Sequence, residues 1–400
     1  MSSKNSMKFK KNSELKDISP HDLALISHYI HNDDVIPVKS AVKAQELIEK
    51  YICKSEMMEG LVVCEPNSYY GLFPEFFSVP FPTSSCSKFT FIDLFAGIGG
   101  FRLAMQNLGG RCIFSSEFEP NAQKTYFENF GDMPFGDITL QSVKDSIPKK
   151  FDVLCAGFPC QAFSIAGYRK GFEDTRGTLF FDIASIIKKH RPKAFFLENV
   201  KNLKSHDGGR TYSVIEDTLK ELGYVVYNKV LNTMDYVNIP QNRERIFIIG
   251  FDPQQVSKFD QFTYPHKSKL TNSIKNFIDD TNKDKKLFYT ESCSFYDELK
   301  KSITRDDTIY QWRRHYVREN KSNVCPTLTA NMGMGGHNVP LIKVSSGIRK
   351  LSPKECLNFQ GFPNEYRFPS IAHSHCYKQA GNSVTMPLIQ LVAQNIINLL

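Results

Sequence analysis

Short apolar runs rich in β-branched and aromatic residues recur from residue 89 onward, and they predict strands. They cover 89–95, 111–114, 151–156, 194–197, 225–231 and 246–251. Between several of them lie stretches with apolar residues three and four positions apart, such as 179–189 and 214–222, which predict helices. Strands that alternate with helices are typical of a doubly wound, mostly parallel α/β sheet.

The pattern changes on either side of this region. Upstream, residues 22–51 have helical spacing, and residues 66–87 are rich in Pro, Phe and Ser, as in a linker. Downstream, residues 252–345 are polar with few periodic runs, which predicts a loop-rich insertion. The expected parts are an N-terminal helical extension and linker at 1–87, a main domain at 88–265 plus 372–400, and a smaller loop-rich domain with its hinge at 266–371.

Composition narrows the class of protein. Hydrophobic residues make up 41% and charged residues 23%, which is ordinary for a globular protein. No run of eighteen apolar residues occurs and the basic N-terminus has no apolar core after it, so we expect neither a membrane span nor a secretory signal. The ten cysteines are then expected to be reduced thiols in a cytoplasmic protein. The net charge of +8 suits a polyanionic partner.

The first candidate site is a glycine-rich turn after the strand at 89–95. Segment 93–100, DLFAGIGG, brings the backbone close to a ligand. Glu117 ends the next strand, where an acidic residue typically binds ribose hydroxyls, and Asp137 follows at a position suited to an adenine amine. The turn lacks the GxGxxG spacing and a phosphate partner, which favours S-adenosylmethionine over NAD.

The second candidate site begins at Cys160, which follows the apolar run 151–156. Gly157 and Pro159 would end that strand and leave Cys160 at its carboxyl end, where open α/β sheets bind their ligands. Glu198 ends another apolar strand, and burial would raise its pKa and make it a proton donor. Taken singly, Cys160 could be a packing residue and Glu198 a helix cap or an arginine partner.

The segment 241–245, QNRER, runs into the last strand. If it is extended, Gln241, Arg243 and Arg245 share one face; a solvated edge strand is the alternative. A thiolate, a proton donor and cations at neighbouring strand ends are suited to conjugate addition to cytosine. Thiolate attack at C6 with protonation at N3 makes C5 nucleophilic, so that C5 takes a methyl group from a sulfonium donor.

Six segments in order resemble the motifs of the DNA (cytosine-5) methyltransferase family, of the prokaryotic restriction-modification type. The resemblance covers about residues 88–400 and leaves the N-terminal extension outside. The segments are 93–102 (DLFAGIGGFR), 157–164 (GFPCQAFS), 198–200 (ENV), 241–245 (QNRER), 349–356 (RKLSPKEC) and 379–384 (QAGNSV). The family implies a Rossmann-like methyltransferase fold with a target-recognition domain.

The resemblance also implies roles for individual residues. Cys160 would be the nucleophile and Glu198 would contact N3, with Arg243, Arg245 and Gln241 beside them. The cofactor would be S-adenosylmethionine, leaving as S-adenosylhomocysteine, with no metal. Its expected binding residues are Phe95, Ala96, Gly97, Ile98, Gly99, Gly100, Glu117, Phe118, Asp137, Ile138, Pro159, Leu179, Asn382 and Ser383. Phe118 stands where the family often has Trp.

Duplex DNA would be the partner, with the target base flipped out of the helix under a mobile loop at 161–178. The basic, aromatic segment 310–318, YQWRRHYVR, and the segment 325–337 would belong to the target-recognition domain. Most basic residues at DNA contact phosphates, and fewer contact bases. The expected nucleic-acid-binding residues are Gln161, Ser164, Arg169, Arg176, Arg313, Arg314, Arg318, Thr327 and Asn331.

The leading hypothesis is therefore a site-specific bacterial DNA modification methyltransferase, monomeric and acting at the nucleoid, with a cognate restriction endonuclease that acts independently. Three alternatives stay open. A tRNA cytosine-5 methyltransferase would share the chemistry, although the Cys-Phe-Thr signature of that branch is absent. A catalytically silent DNA-binding regulator would not need Cys160, Glu198 and the arginines together. An NAD-dependent dehydrogenase lacks support in the glycine pattern.

Overall fold

A six-stranded sheet forms the centre of the molecule. The computed structural model describes residues 18–54, 73–84, 86–159, 179–313, 315–333 and 337–400. The strands of the central sheet are β1 (Phe89–Leu94), β2 (Gly110–Ser116), β3 (Val153–Gly157), β4 (Ala194–Val200), β5 (Val225–Asn232) and β7 (Glu244–Phe251), and their spatial order is β2-β1-β3-β4-β7-β5.

Helices cover both faces of this sheet and continue beyond it. In the described part of the chain they are α1 (Pro20–Asn32), α2 (Val38–Lys54), α3 (Gly100–Asn107), α4 (Pro120–Phe130), α5 (Gln141–Lys144), α6 (Leu179–His190), α7 (Arg210–Glu221), α8 (Thr233–Tyr236), α9 (Tyr296–Ser302), α10 (Pro353–Phe359), α11 (His373–Asn382) and α12 (Met386–Ile397). Short 3-10 turns lie at Pro74–Phe76, Lys201–Lys204, His206–Gly209, Phe259–Gln261, Ile274–Phe277 and Lys285–Leu287. No helix among the described residues is both long and apolar enough to cross a bilayer.

The doubly wound, mostly parallel sheet predicted from the sequence is confirmed. Strands β1 to β4 are parallel and nearly wholly buried, as expected of strands covered on both faces. The exception is β7, which lies between β4 and β5 and runs antiparallel to both. Its first residues therefore reach the edge where the parallel strands end, and Arg245 is paired in register with Val200.

A second, smaller sheet forms within the segment predicted to be loop-rich. It consists of β8 (Tyr310–Arg313), β9 (Val317–Glu319), β11 (His337–Val344) and β12 (Gly347–Lys350), antiparallel in the order β12-β11-β8-β9. The two-residue strands β6 (Gln241–Asn242) and β10 (Cys325–Pro326) pair separately. Tyr310 and Leu341 lie in the small core of this sheet, and Trp312 stacks on Phe295 with 4.3 Å between ring centroids. Its strands are short and half polar, which is why periodicity did not reveal them.

The N-terminal helices share the core of the central sheet. Leu25 and Ile26 of α1 belong to the same buried cluster as Phe114 and Phe135. Ser19 caps α1, because its Oγ accepts a hydrogen bond from the backbone N–H of Asp22 at 3.1 Å. The extension is thus built onto the main domain through an apolar face.

A buried polar cluster fixes α1 in place. The carboxylate of Asp132 accepts hydrogen bonds from the hydroxyl of Ser27 at 3.1 Å and from the guanidinium of Arg102 at 2.8 Å, and it lies 3.1 Å from His28 Nδ1. His28 Nε2 accepts the backbone N–H of Ser115 at 3.1 Å, so the ring proton must be on Nδ1. Both ring nitrogens are therefore used in the neutral form.

We expect the stability of this arrangement to depend on pH. Burial lowers the pKa of His28 below its ordinary value and lowers that of the neighbouring His31 to about 4. The unfolded chain binds protons more readily than the folded chain, so the stabilisation is complete above about pH 6.5 and is lost as the pH falls towards 4. The free energy of unfolding should fall by up to about 1.4 kcal/mol per pH unit for each histidine. Urea unfolding at several pH values measures this slope, and a double variant His28→Gln, His31→Gln with an unchanged slope would contradict the assignment.

The described cysteines are unpaired, as predicted. Cys86 is exposed, and Cys112, Cys155, Cys325 and Cys356 are buried. Burial raises the pKa of each of these four buried thiols, and that of Cys112 reaches about 12. These side chains therefore act as small apolar groups in the core.

Candidate active site

The turn after β1 has an unusual backbone. Phe95, Gly97 and Gly99 have φ angles of 54°, 55° and 79°, all in the left-handed region. Such a conformation is costly for Phe95, which has a Cβ atom, and residues of this kind are concentrated at ligand sites. The space beside Gly97 is open, whereas a Cβ on Gly99 would lie 2.3 Å from Phe130 Cε2. Glycine at position 97 leaves space for a ligand, whereas glycine at position 99 avoids a clash with Phe130.

Glu117 connects this turn to the end of β2. One carboxylate oxygen accepts the backbone N–H of Gly97 and the other accepts that of Glu119, each at 2.8 Å. Burial raises the pKa of Glu117, and these two N–H groups oppose the rise. A carboxylate has about four acceptor positions, so two stay free for the two hydroxyls of a ribose.

A cavity of about 470 Å³ opens beside Phe118, the residue after Glu117. Phe118 lines it with a side chain that is 71% exposed, an arrangement suited to stacking on a planar base. Asp137 lines it as well, and its Oδ1 accepts the backbone N–H of Thr139 at 2.9 Å, which fixes the carboxylate. An aromatic platform beside a fixed acceptor fits an adenine ring with its exocyclic amine.

The C-terminal motif packs directly against the glycine turn. A Cβ on Gly100 would lie 2.6 Å from Val384 Cγ2 and 3.3 Å from Ser383 Oγ, and the neighbouring Asn382 is exposed. The structure therefore brings together residues nearly three hundred positions apart. Of the other predicted cofactor residues, Ala96, Ile98 and Ile138 are buried, Leu179 is half-buried and Pro159 is exposed.

We predict that Gly99→Ala destabilises the protein by about 2 kcal/mol or more, because it combines a positive φ with overpacking against Phe130. Gly136→Ala is the matched control, since no atom lies within 4 Å of a Cβ there. Chemical unfolding of both variants measures the difference. Equal stabilities would contradict the strain described for the turn.

A carboxylate and a guanidinium meet at the carboxyl end of β4. Arg245 Nε lies 3.0 Å from Glu198 Oε1, and both side chains are largely buried. Glu198 is in register with Gly157 of β3, and a Cβ on Gly157 would lie 3.7 Å from Glu198 Oε2. The carboxylate therefore lies beside the segment that leads to residue 160.

The protonation of Glu198 follows from its surroundings. Burial raises its pKa above the ordinary value, while Arg245 and Arg243 oppose that rise. A carboxyl group whose pKa is raised holds its proton more readily than a solvent-exposed one, and Arg245 stabilises the carboxylate that forms after the proton is given away. The pair is thus suited to donating a proton to a ring nitrogen.

In the segment 241–245, Arg243 and Gln241 bind parts of the chain that lie far away in the sequence. The chain is not one strand here, because β6 ends at Asn242 and β7 begins at Glu244. The guanidinium of Arg243 is buried and donates hydrogen bonds to the carbonyl oxygens of Leu328, Gly381 and Ser383.

Gln241 is buried beside it. Its amide donates to the carbonyl oxygen of Phe359 at 2.6 Å and lies 3.4 Å from Gln360 Oε1. Gln241 and Arg243 therefore hold distant segments together, while Arg245 is the member of the segment that contacts Glu198.

Asn199 makes a hydrogen bond that was not predicted from the sequence. Its Nδ2 donates to the carbonyl oxygen of Phe158 at 2.8 Å, and its Oδ1 accepts the N–H of Val200 at 2.8 Å. The bond fixes the chain two residues before Cys160. Its place in the segment 198–200 (ENV), directly after Glu198, is the signal in the sequence that could have indicated it.

We predict that Asn199→Ala lowers kcat roughly 100-fold and leaves the KM for the methyl donor nearly unchanged, because the segment before residue 160 loses its anchor. Asn202→Ala is the control, since the Asn202 side chain is exposed. Steady-state kinetics of both variants measures the split between kcat and KM. An unchanged kcat in Asn199→Ala would show that the bond does not position the segment.

Part of the predicted site lies outside the described residues. This applies to the nucleophile Cys160, to the loop residues Gln161, Ser164, Arg169 and Arg176, and to Arg314. Among the residues that the structure describes, no group of three or more His, Cys, Asp or Glu side chains could hold a metal ion.

The small sheet carries an open cavity of about 450 Å³. Arg313, Tyr316, Asn331 and Asn338 line it, and Arg313 Nη1 donates to Asn338 Oδ1. Tyr316 is 54% exposed. The structure thus brings together Arg313 and Asn331, two residues predicted to contact nucleic acid.

The other two described candidates for nucleic-acid contact lie apart. Arg318 is exposed on β9. Thr327 lies near the main domain, where its hydroxyl donates to the carbonyl oxygen of Asn242 at 2.7 Å.

Comparison with known proteins agrees with this geometry. The C-5 cytosine-specific DNA methylase family matches residues 89–398. The type II methyltransferase M.Bsp6I of Bacillus sp. (strain RFL6) is 51% identical over 308 residues, covering 76% of this chain and 97% of that protein. M.HpaII of Haemophilus parainfluenzae is 45% identical over 359 residues, covering 86% and 97%, and M.HhaI of Haemophilus parahaemolyticus is 42% identical over 320 residues, covering 76% and 93%.

The fold is also similar to that of solved methyltransferases. The crystal structure of S. pombe Dnmt2 methyltransferase matches with a TM-score of 0.58 at 17% identity, over 78% of this chain and 98% of that one. This likeness concerns the fold. The match over residues 89–398 and the close relatives together show that the chain belongs to the C-5 cytosine-specific DNA methylase family.

Proposed function

We propose that the chain is a type II modification methyltransferase that transfers a methyl group from S-adenosylmethionine to C5 of a cytosine flipped out of duplex DNA. The observation that carries the proposal is the buried pair of Glu198 and Arg245 beside Gly157, three residues before Cys160. The relatives M.Bsp6I, M.HpaII and M.HhaI are type II methyltransferases, which supports a restriction-modification role. Residues 88–265 with 372–400 would form the catalytic domain and residues 266–371 the target-recognition domain.

The residues around the glycine turn fit the methyl donor. The space beside Gly97, the free acceptor positions of Glu117, the exposed ring of Phe118 and the fixed carboxylate of Asp137 match a backbone approach, a ribose, a base and an amine. When bound there, S-adenosylmethionine supplies an electrophilic methyl group on a sulfonium sulfur.

The catalytic steps use groups at the carboxyl ends of the parallel strands of the central sheet. The Cys160 thiolate adds to C6 of cytosine while Glu198 protonates N3, so the ring stays neutral and C5 becomes nucleophilic. Arg245 stabilises the Glu198 carboxylate left behind. After C5 has taken the methyl group, a base removes the C5 proton, the Cys160–C6 bond breaks and N3 returns its proton to Glu198, which regenerates the thiolate, the carboxyl group and the aromatic ring.

Target recognition belongs to the small sheet. The cavity lined by Arg313 and Asn331 offers a guanidinium fork and an amide, the groups that read guanine and adenine edges in the major groove. Exposed Arg318 suits phosphate contact. The net charge of +8 supports binding to a polyanion.

The test is transfer of labelled methyl groups from S-adenosylmethionine to duplex DNA and, in parallel, to total tRNA, followed by mapping of the modified cytosines. We expect label at one short duplex motif. Cys160→Ser should abolish transfer and the covalent adduct while cofactor affinity stays intact, and Glu198→Gln should lower kcat roughly 100-fold or more. Label in tRNA alone would refute duplex DNA as the substrate. Near-normal turnover by Cys160→Ser would refute the covalent mechanism.

A further inference from the structure

The cavity next to Phe118 has walls from two parts of the chain. Phe118, Gly136 and Asp137 belong to the catalytic domain, whereas Ser19 and His21 come from the start of α1 in the N-terminal extension. We propose that the extension completes the pocket for the purine end of the methyl donor, with His21 as its contact residue. The inference rests on the proposed function, because it concerns the same cofactor site.

The start of α1 is held rigidly at the cavity. The imidazole of His21 packs edge-on against the ring of Phe135, with 5.9 Å between centroids and 65° between planes. Phe135 is completely buried and directly precedes Gly136 and Asp137. His21 itself is exposed, so its remaining surface faces the open cavity that it lines.

Capping gives this end of the helix a fixed backbone. The carbonyl oxygen of Ser19 accepts the N–H of Leu23 at 2.9 Å, and its hydroxyl accepts the N–H of Asp22. An exposed side chain on a capped helix is presented in a defined direction, which a frayed terminus could not achieve.

The helix and the pocket are coupled through shared contacts. The ring of His28 in α1 packs against that of Phe135, with 4.6 Å between centroids and 46° between planes, and His28 Nε2 accepts the N–H of Ser115. Phe135 in turn exchanges backbone hydrogen bonds with this strand end, donating to the carbonyl oxygen of Ser115 at 2.9 Å and accepting from Glu117 at 2.8 Å. Any ligand that orders Glu117 and Asp137 therefore also favours the docked position of α1.

The chemistry of the cavity fits a planar nitrogen heterocycle. Phe118 offers an aromatic face, Asp137 offers an acceptor for an exocyclic amine, and His21 adds a second aromatic ring from the extension. Aromatic contacts of this kind contribute modestly to affinity, so we expect His21 to affect binding of the methyl donor and to leave the chemical step unchanged.

The test is calorimetric titration of the full-length protein with S-adenosylmethionine. His21→Ala should raise the Kd roughly threefold to tenfold, His21→Phe should restore it, and kcat at saturating methyl donor should stay unchanged. His266→Ala is the matched control, since His266 is an exposed histidine that does not line the cavity. Because His21 is exposed, the variants should keep the thermal midpoint of the wild type.

Hydrogen exchange gives a second, independent readout. Adding S-adenosylhomocysteine should slow exchange of the backbone amides in α1, because binding and docking are coupled. A Kd unchanged in His21→Ala would overturn the inference, as would exchange in α1 that does not respond to the ligand. Glu117→Ala distinguishes this inference from the proposed function. If Glu117→Ala weakens binding of the methyl donor and His21→Ala does not, only the contribution of the extension is refuted. If both variants bind normally, the proposed cofactor site is refuted as well.

Discussion

The buried guanidinium of Arg243 is the constraint on which the arrangement of the site depends. A guanidinium has five N–H donors in a fixed plane, so a buried guanidinium is held in position by the acceptors around it. Here its partners are carbonyl oxygens of Leu328, Gly381 and Ser383. They belong to the segment after β10, to α11 and to the turn before α12. One side chain thus fixes the segment after β10 and the C-terminal motif relative to β7, the strand that carries Arg245.

The direction of β7 explains how acid and cation come together. In a sheet of parallel strands, side chains at one edge come only from the carboxyl ends of strands, as Glu198 does on β4. Because β7 is antiparallel, its first residues reach the same edge, and Arg245 lies beside Val200 and 3.0 Å from Glu198. The ion pair is therefore a product of topology, and its burial adjusts the acidity of Glu198.

The sequence predicted the central sheet well because each strand is a short apolar run bounded by polar or glycine residues. It also predicted that Glu198 and Arg245 would approach each other. It could not predict the contacts of Arg243, since carbonyl oxygens carry no residue signature and these lie 85 to 140 positions away. The direction of β7 could not be predicted either, because the apolar pattern of a strand does not depend on which way the strand runs in the sheet. The anchoring of α1 depends on His28, whose pKa is lowered by burial and whose ring nitrogens contact Asp132 and Ser115 in a distant part of the chain.

The buried cysteines can report where the protein unfolds locally. Cys112 and Cys155 lie in the central sheet, Cys325 lies beside β6, and Cys356 lies in α10. Their thiols are shielded and their pKa values are raised, so an alkylating reagent at neutral pH reaches them only through local or global unfolding. The order in which these four thiols become modified therefore reports which part of the chain loosens first, without any introduced probe.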